Sequence, residues 1–145
     1  MSAIAAVAAP FGRDLREALT RIERLIARAR SAGARLVVFP ELRAGRLHPR
    51  AGAGRGGARP APGLDPHGPQ IERLIALAGE TVLSVGYTEA APAGLFSAAV
   101  CVDGDEVLGH QRKVHPPPAE RFAYTPGTGF AAFDTPVGRV GMLLC

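Results

Sequence analysis

Three residues able to do nucleophilic chemistry each close an apolar, strand-like run of this chain. Glu41 follows Leu36-Val37-Val38-Phe39-Pro40, Lys113 follows Glu106-Val107-Leu108-Gly109-His110-Gln111-Arg112, and Cys145 ends Val140-Gly141-Met142-Leu143-Leu144. In α/β proteins the side chains at the carboxyl edge of a sheet face a crevice, and reactive groups are placed there. A thiol is a strong nucleophile once deprotonated, a carboxylate can take its proton, and an ammonium can steady an oxyanion. A thiol, a carboxylate and an amine at three strand ends suggest one site.

Bringing three strand ends together requires a sheet, and the hydrophobic pattern supplies one. Residues 4–8 form a short apolar run. Leu15, Ala18, Leu19, Ile22, Leu25, Ile26 and Ala29 then recur at helical spacing, with Gly33 as the stop. Residues 35–39 read as a second strand, so strand, helix and strand give a parallel pair. Asp65-Pro66 reads as an N-cap with proline at the first helical position, and Ile71, Leu74, Ile75 and Ala78 as that helix's apolar face. Residues 81–87 are a third strand, and 95–102 and 106–110 flank the hairpin signal Asp103-Gly104-Asp105. Residues 115–128 are irregular; 130–133 and 139–144 are two further strands. The expected fold class is α/β, a mixed sheet with both helices on one face and the other face bare.

Composition narrows the function. At 145 residues the chain is at most one domain with room for a core, and 47% hydrophobic against 21% charged residues reads as soluble and globular. A net charge of +4 does not argue for nucleic acid. The arginines between Arg43 and Arg59 lack interleaved aromatics and read as a solvated loop. Two cysteines make neither a disulfide framework nor a four-ligand zinc site. His48, His67, His110 and His115 match no metal-ligand spacing, and Gly52 to Gly57 has neither the lysine nor the helix start of a phosphate loop. With no signal peptide and no membrane-length run, a cytoplasmic location is the default.

Four segments together resemble the nitrilase, or carbon–nitrogen hydrolase, superfamily. They are residues 36–41; His110-Gln111-Arg112-Lys113-Val114-His115; Glu120 with Tyr124-Thr125-Pro126-Gly127; and residues 138–145. The resemblance implies a four-layer α-β-β-α sandwich, of which this chain is a partial version, the N-terminal portion of a single domain whose second half is missing. It implies a Glu41–Lys113–Cys145 triad with Glu120 as a second glutamate. Glu41 is then the general base, Lys113 steadies the oxyanion, and Glu120 orients Lys113 and the substrate. From their places in the chain, His115 is expected to line the site mouth, and Phe122 and Tyr124 to shape a substrate pocket or, equally, to anchor the loop. The implied substrate is a small-molecule amide, carbamoyl compound or nitrile, with amidase favoured over nitrilase by family base rates. No metal or organic cofactor is implied, and the full-length form is expected to be a homo-oligomer. The arginines from Arg43 to Arg59 would cover the entrance and favour acidic substrates.

Members of that superfamily run to nearly twice this length and carry an aromatic residue and an aspartate after the nucleophile, whereas nothing here follows Cys145. The rival expectation is therefore an inactive fragment, or an interaction module that associates through its unfinished sheet. Each residue also has a plainer reading. Glu41 alone would be a solvated strand-end carboxylate and Lys113 a surface charge. Cys101, inside Ala98-Ala99-Val100-Cys101-Val102, is a small buried hydrophobe. Lys113 is the only lysine in an arginine-rich chain, and arginine cannot readily replace a compact ammonium at an oxyanion.

Overall fold

The computed structural model describes residues 3–12, 14–41 and 62–144. Cys145, His48, the Gly52–Gly57 stretch and the arginines from Arg43 to Arg59 lie outside the described residues. The elements in chain order are β1 (Ala3–Ala6), α1 (Leu15–Ser31), β2 (Ala34–Val38), α2 (Pro69–Ala78), β3 (Val82–Ala91), β4 (Gly94–Val102), β5 (Val107–Arg112), β6 (Ala132–Thr135) and β7 (Gly138–Gly141).

Helix α1 forms where the periodicity places it. Asp14 caps it, accepting from the N–H groups of Arg16 and Glu17, and Ile22, Ile26 and Ala29 are buried along one stripe. The chain leaves it through Gly33 at φ 80°, a conformation that suits glycine. The start of α2 corrects the sequence expectation. Asp65 does not cap the helix; its carboxylate accepts from His67 N–H and its carbonyl from Gly68 N–H, closing a separate turn. The helix begins three residues later than Pro66, with Gly68 as the cap and Pro69 in its first turn.

Strands β1 to β5 form one mixed sheet in sequential order. The β1–β2 and β2–β3 pairs are parallel, and β3–β4 and β4–β5 antiparallel. The carboxyl ends of β2, β3 and β5 therefore share one edge, which also holds the start of β4. Strand β3 runs beyond Tyr87 because β4 pairs with it through Ala91 and Gly94. Gly94, at φ 125°, makes that tight turn possible.

Successive side chains on each strand alternate between two cores. On one face Val37, Leu83, Val85, Tyr87, Ala98, Val100 and Val102 pack with Ile22 and Ile26 of α1 and Ile71 and Leu74 of α2. Both helices thus cover one face, as the pattern predicts. The opposite face is not bare: the β6–β7 hairpin lies on it. Leu36, Val82, Ala99 and Cys101 pack there with Met142, Phe133 and Val140. Phe133 rests on Gly109, where any Cβ would fall within 2.4 Å of its ring. Toward β1 that face stays open, with Ile4 67% and Val38 37% exposed. No described helix is long and apolar enough to cross a membrane.

Candidate active site

The site is built at the shared strand edge. Phe39 N–H donates to Ser84 O at 2.8 Å, continuing the β2–β3 ladder one residue past β2. Pro40 has no N–H to continue it, so the chain turns out and Glu41 follows at the rim. Lys113 comes directly after β5, and its N–H donates to Ser97 O on β4 at 2.8 Å. The period of two puts Gln111 and Lys113 on the hairpin face, and His110 and Arg112 on the helix face.

Residues 114–131 return across this edge and are fastened to it. Thr125 N–H donates to Leu95 O at 2.7 Å and Gly127 N–H to Lys113 O at 2.8 Å. Gly127 comes so close that a Cβ there would lie 2.7 Å from Arg112 O. The Gln111 side chain donates to Gly129 O at 2.7 Å. Inside the loop, Ala123 and Tyr124 N–H both donate to Glu120 O at 2.9 Å, a turn that aims the Glu120 side chain inward.

These supports bring Glu41, Lys113 and Glu120 together. Lys113 Nζ donates to Glu41 Oε1 at 3.1 Å and to Glu120 Oε2 at 3.0 Å. Lys113 is 1% exposed and Glu120 2%. An ammonium this buried is tolerable only with charged partners, because desolvation alone costs several kcal/mol. Glu41 retains 21% side-chain exposure and so faces the open side of the cluster. It lines a groove of about 470 Å³ with Pro40, Ser84, Gly86 and the final described residue, Leu144. Ser84 Oγ lies 3.4 Å from Met142 Sδ, so the segment from Val140 to Leu144 is laid along this groove. A larger open hollow, of about 1110 Å³, lies at the opposite edge of the sheet and holds none of these groups. Arg30, on its wall, caps the carboxyl end of α2 through Leu77 O and Ala78 O.

The remaining residues singled out in the sequence take different places. Tyr124 is buried, and its hydroxyl pairs with Thr88 Oγ1 at 3.2 Å. His115 is exposed with its ring 6.2 Å from that of Phe130, and Phe122 is 67% exposed on the surface. Cys101 is fully buried, and burial pushes its thiol up to about 11. Among the described residues no three His, Cys, Asp or Glu side chains converge to hold a metal.

Two features escape the sequence reading. Ser97 Oγ donates to Glu41 Oε1 from the second shared face position of β4; it is the only hydroxyl in the run from Leu95 to Val102, and that was its one signal. Behind the site, on the helix face, Glu89 is fully buried and pairs with Arg112 and with His110, the latter at 2.7 Å. Arg112 lies over the Phe96 ring, 3.9 Å from its centroid, on the way to Glu89. Burial opposes the charge on Glu89, but hydrogen bonds and charge from Arg112 and His110 outweigh it and hold the carboxyl below its ordinary value.

A family model described as carbon–nitrogen hydrolase matches residues 3–145. The bifunctional nitrilase/nitrile hydratase NIT4A of Nicotiana tabacum is 35% identical over 151 residues, covering 91% of this chain and 43% of that protein. Among solved structures, the carbon–nitrogen hydrolase from Helicobacter pylori G27 matches with a TM-score of 0.71 at 24% identity, covering 98% of this chain and 50% of that one. An amidase from Nesterenkonia sp. matches with a TM-score of 0.71 at 22% identity, covering 98% of this chain and 54% of that one. Both likenesses are of fold. The chain spans less than half the length of the curated relative it matches.

Proposed function

Because this chain belongs to the carbon–nitrogen hydrolase family, we propose that it supplies the Glu41–Lys113–Cys145 triad of a hydrolase acting on a small-molecule amide or nitrile. The observation that carries the reading is the buried Lys113 ammonium held between Glu41 and Glu120, with Glu41 open to the groove along which the chain runs to Leu144.

In this reading Glu41 takes the Cys145 thiol proton, and the thiolate attacks the amide carbon. The carbonyl electrons move onto oxygen, where the Lys113 ammonium offsets the charge. Glu41 returns the proton to nitrogen as the carbon–nitrogen bond breaks, and ammonia leaves a thioester on Cys145. Glu41 then draws a proton from water, whose oxygen displaces the thiolate and releases the acid. Glu120 holds Lys113 in place. In a solved variant of the Nesterenkonia amidase, the acetamide moiety of fluoroacetamide is added covalently at the active-site cysteine. That adduct is a thioether formed with loss of fluoride, and it supports a nucleophilic cysteine at this place in the fold, the role proposed for Cys145.

The curated relative is named for nitrile chemistry and one solved neighbour as an amidase, so both substrate classes belong in the assay. Protein made from the complete coding sequence is incubated with small aliphatic and aromatic amides and nitriles, and ammonia is measured. The reading requires release that Cys145→Ser abolishes. Equal release from both proteins, or none from either across the panel, counts against it.

A further inference from the structure

We infer that Ser97 is a positioning residue for the carboxylate of Glu41. The inference rests on the reading of Glu41 as general base given above. Glu41 lies beyond the Phe39–Ser84 ladder bond, on the far side of Pro40, so the sheet backbone does not by itself fix its side chain. Ser97 does. It is 4% exposed, in a strand paired on both sides, and its Oγ donates to Glu41 Oε1. Its backbone carbonyl accepts from Lys113 N–H at 2.8 Å. One rigid residue therefore locates both the base and the lysine. Its neighbour across the ladder, Thr88, is bonded to Tyr124 and thereby to the loop that carries Glu120.

Among the described residues, Lys113 from the end of β5 faces Glu41, and through Lys113 so does Glu120 from the returning loop. Lys113 Nζ approaches Oε1 at 3.1 Å and Oε2 at 3.4 Å, the oxygen that Ser97 holds being the nearer. A hydroxyl donating to an ionised carboxylate stabilises its charged form, so removing it makes the carboxylate easier to protonate. It also frees the side chain to rotate away from the thiol.

The test reads Cys145 directly and needs no natural substrate. Protein made from the complete coding sequence, with Cys101→Ala, is alkylated with iodoacetamide across pH, and the rate at Cys145 is read by peptide mass mapping. Sγ bonds to the methylene carbon, iodide leaves, and the thiol proton goes to Glu41. The expected profile falls in acid as Glu41 protonates. Ser97→Ala should move that fall upward by roughly one pH unit and slow the plateau severalfold, and Ser97→Thr, which keeps the hydroxyl, should restore both. An unmoved limb in Ser97→Ala overturns the inference, whether or not the melting temperature drops. So does a Ser97→Ala protein that fails to fold while Ser97→Thr folds with a shifted limb, because the hydroxyl is then not what sets it. A Glu41→Gln variant alkylated like wild type overturns instead the role of Glu41 itself.

Discussion

Lys113 Nζ and Glu120 Oε2 lie 3.0 Å apart, and neither side chain is more than 3% exposed. Removing one member of such a pair leaves the other's charge buried without compensation. Lys113→Met would take the Lys113 ammonium away from both Glu41 and Glu120. The expected loss of stability is about 3 kcal/mol, which thermal unfolding would read as a drop of roughly 10 °C. Lys113→Arg should keep more of the stability and still lose hydrolysis by at least about a hundredfold, since the planar guanidinium cannot occupy the place of a compact ammonium.

The Phe133 ring needs the bare backbone of Gly109. A Cβ at Gly109 would sit 2.3 Å from Phe133 Cε1, so Gly109→Ala must push the β6–β7 hairpin off the sheet. Overpacking of this kind costs about 1–3 kcal/mol. Phe133→Leu alone should also destabilise, yet the double variant should be more stable than the two losses added together. Denaturant unfolding of the four proteins measures the coupling, and simple additivity would show that the hairpin packs elsewhere.

The two cysteines should differ in reactivity. Cys101 is fully buried and its thiol is raised to about 11, so it is protonated and shielded at neutral pH. Native protein treated with iodoacetamide near neutral pH should be modified at Cys145, and Cys101 should stay unmodified until the protein is denatured. Peptide mass mapping decides it; modification of native Cys101 would contradict the packing of the hairpin face.

Acid should weaken the fold partly through Glu89. Its carboxyl is held below the ordinary 4.5 by Arg112 and His110, against the opposing effect of burial. A depressed carboxyl contributes fully above the unfolded value and loses that contribution as pH falls through the folded one. Glu89→Gln should therefore lower stability at neutral pH and flatten the acid side of the melting-temperature profile below about pH 4.5. Profiles of equal slope in both proteins would remove Glu89 from the account.

Local chemistry carries much of the fold. The helical spacing of Ile22, Ile26 and Ala29, the stop at Gly33 and the Asp103-Gly104-Asp105 hairpin are each set within a few residues of chain. The start of α2 differs from the sequence expectation because Asp65 has two local uses, a helix cap and a turn, and propensity does not choose between them. The sequence pattern ends the third strand at residue 87, whereas β3 continues through Thr88 and Glu89 to Ala91. Tyr124, Arg112 and His110 are the partners that make both tolerable inside, and all three are distant in sequence.

For the site, the sequence by itself determined which residue types stand at the ends of β2 and β5, and hence that a carboxylate and an amine reach the same edge. That follows from strand direction and a side-chain period of two. Only the tertiary structure decided that Lys113 is buried between Glu41 and Glu120, that Ser97 holds Glu41, and that Phe122 stays at the surface while Tyr124 turns inward. The physical reason is desolvation. Whether a charged or hydroxyl group can leave water depends on partners that arrive from 7, 56 and 72 residues away, and no local pattern records their arrival.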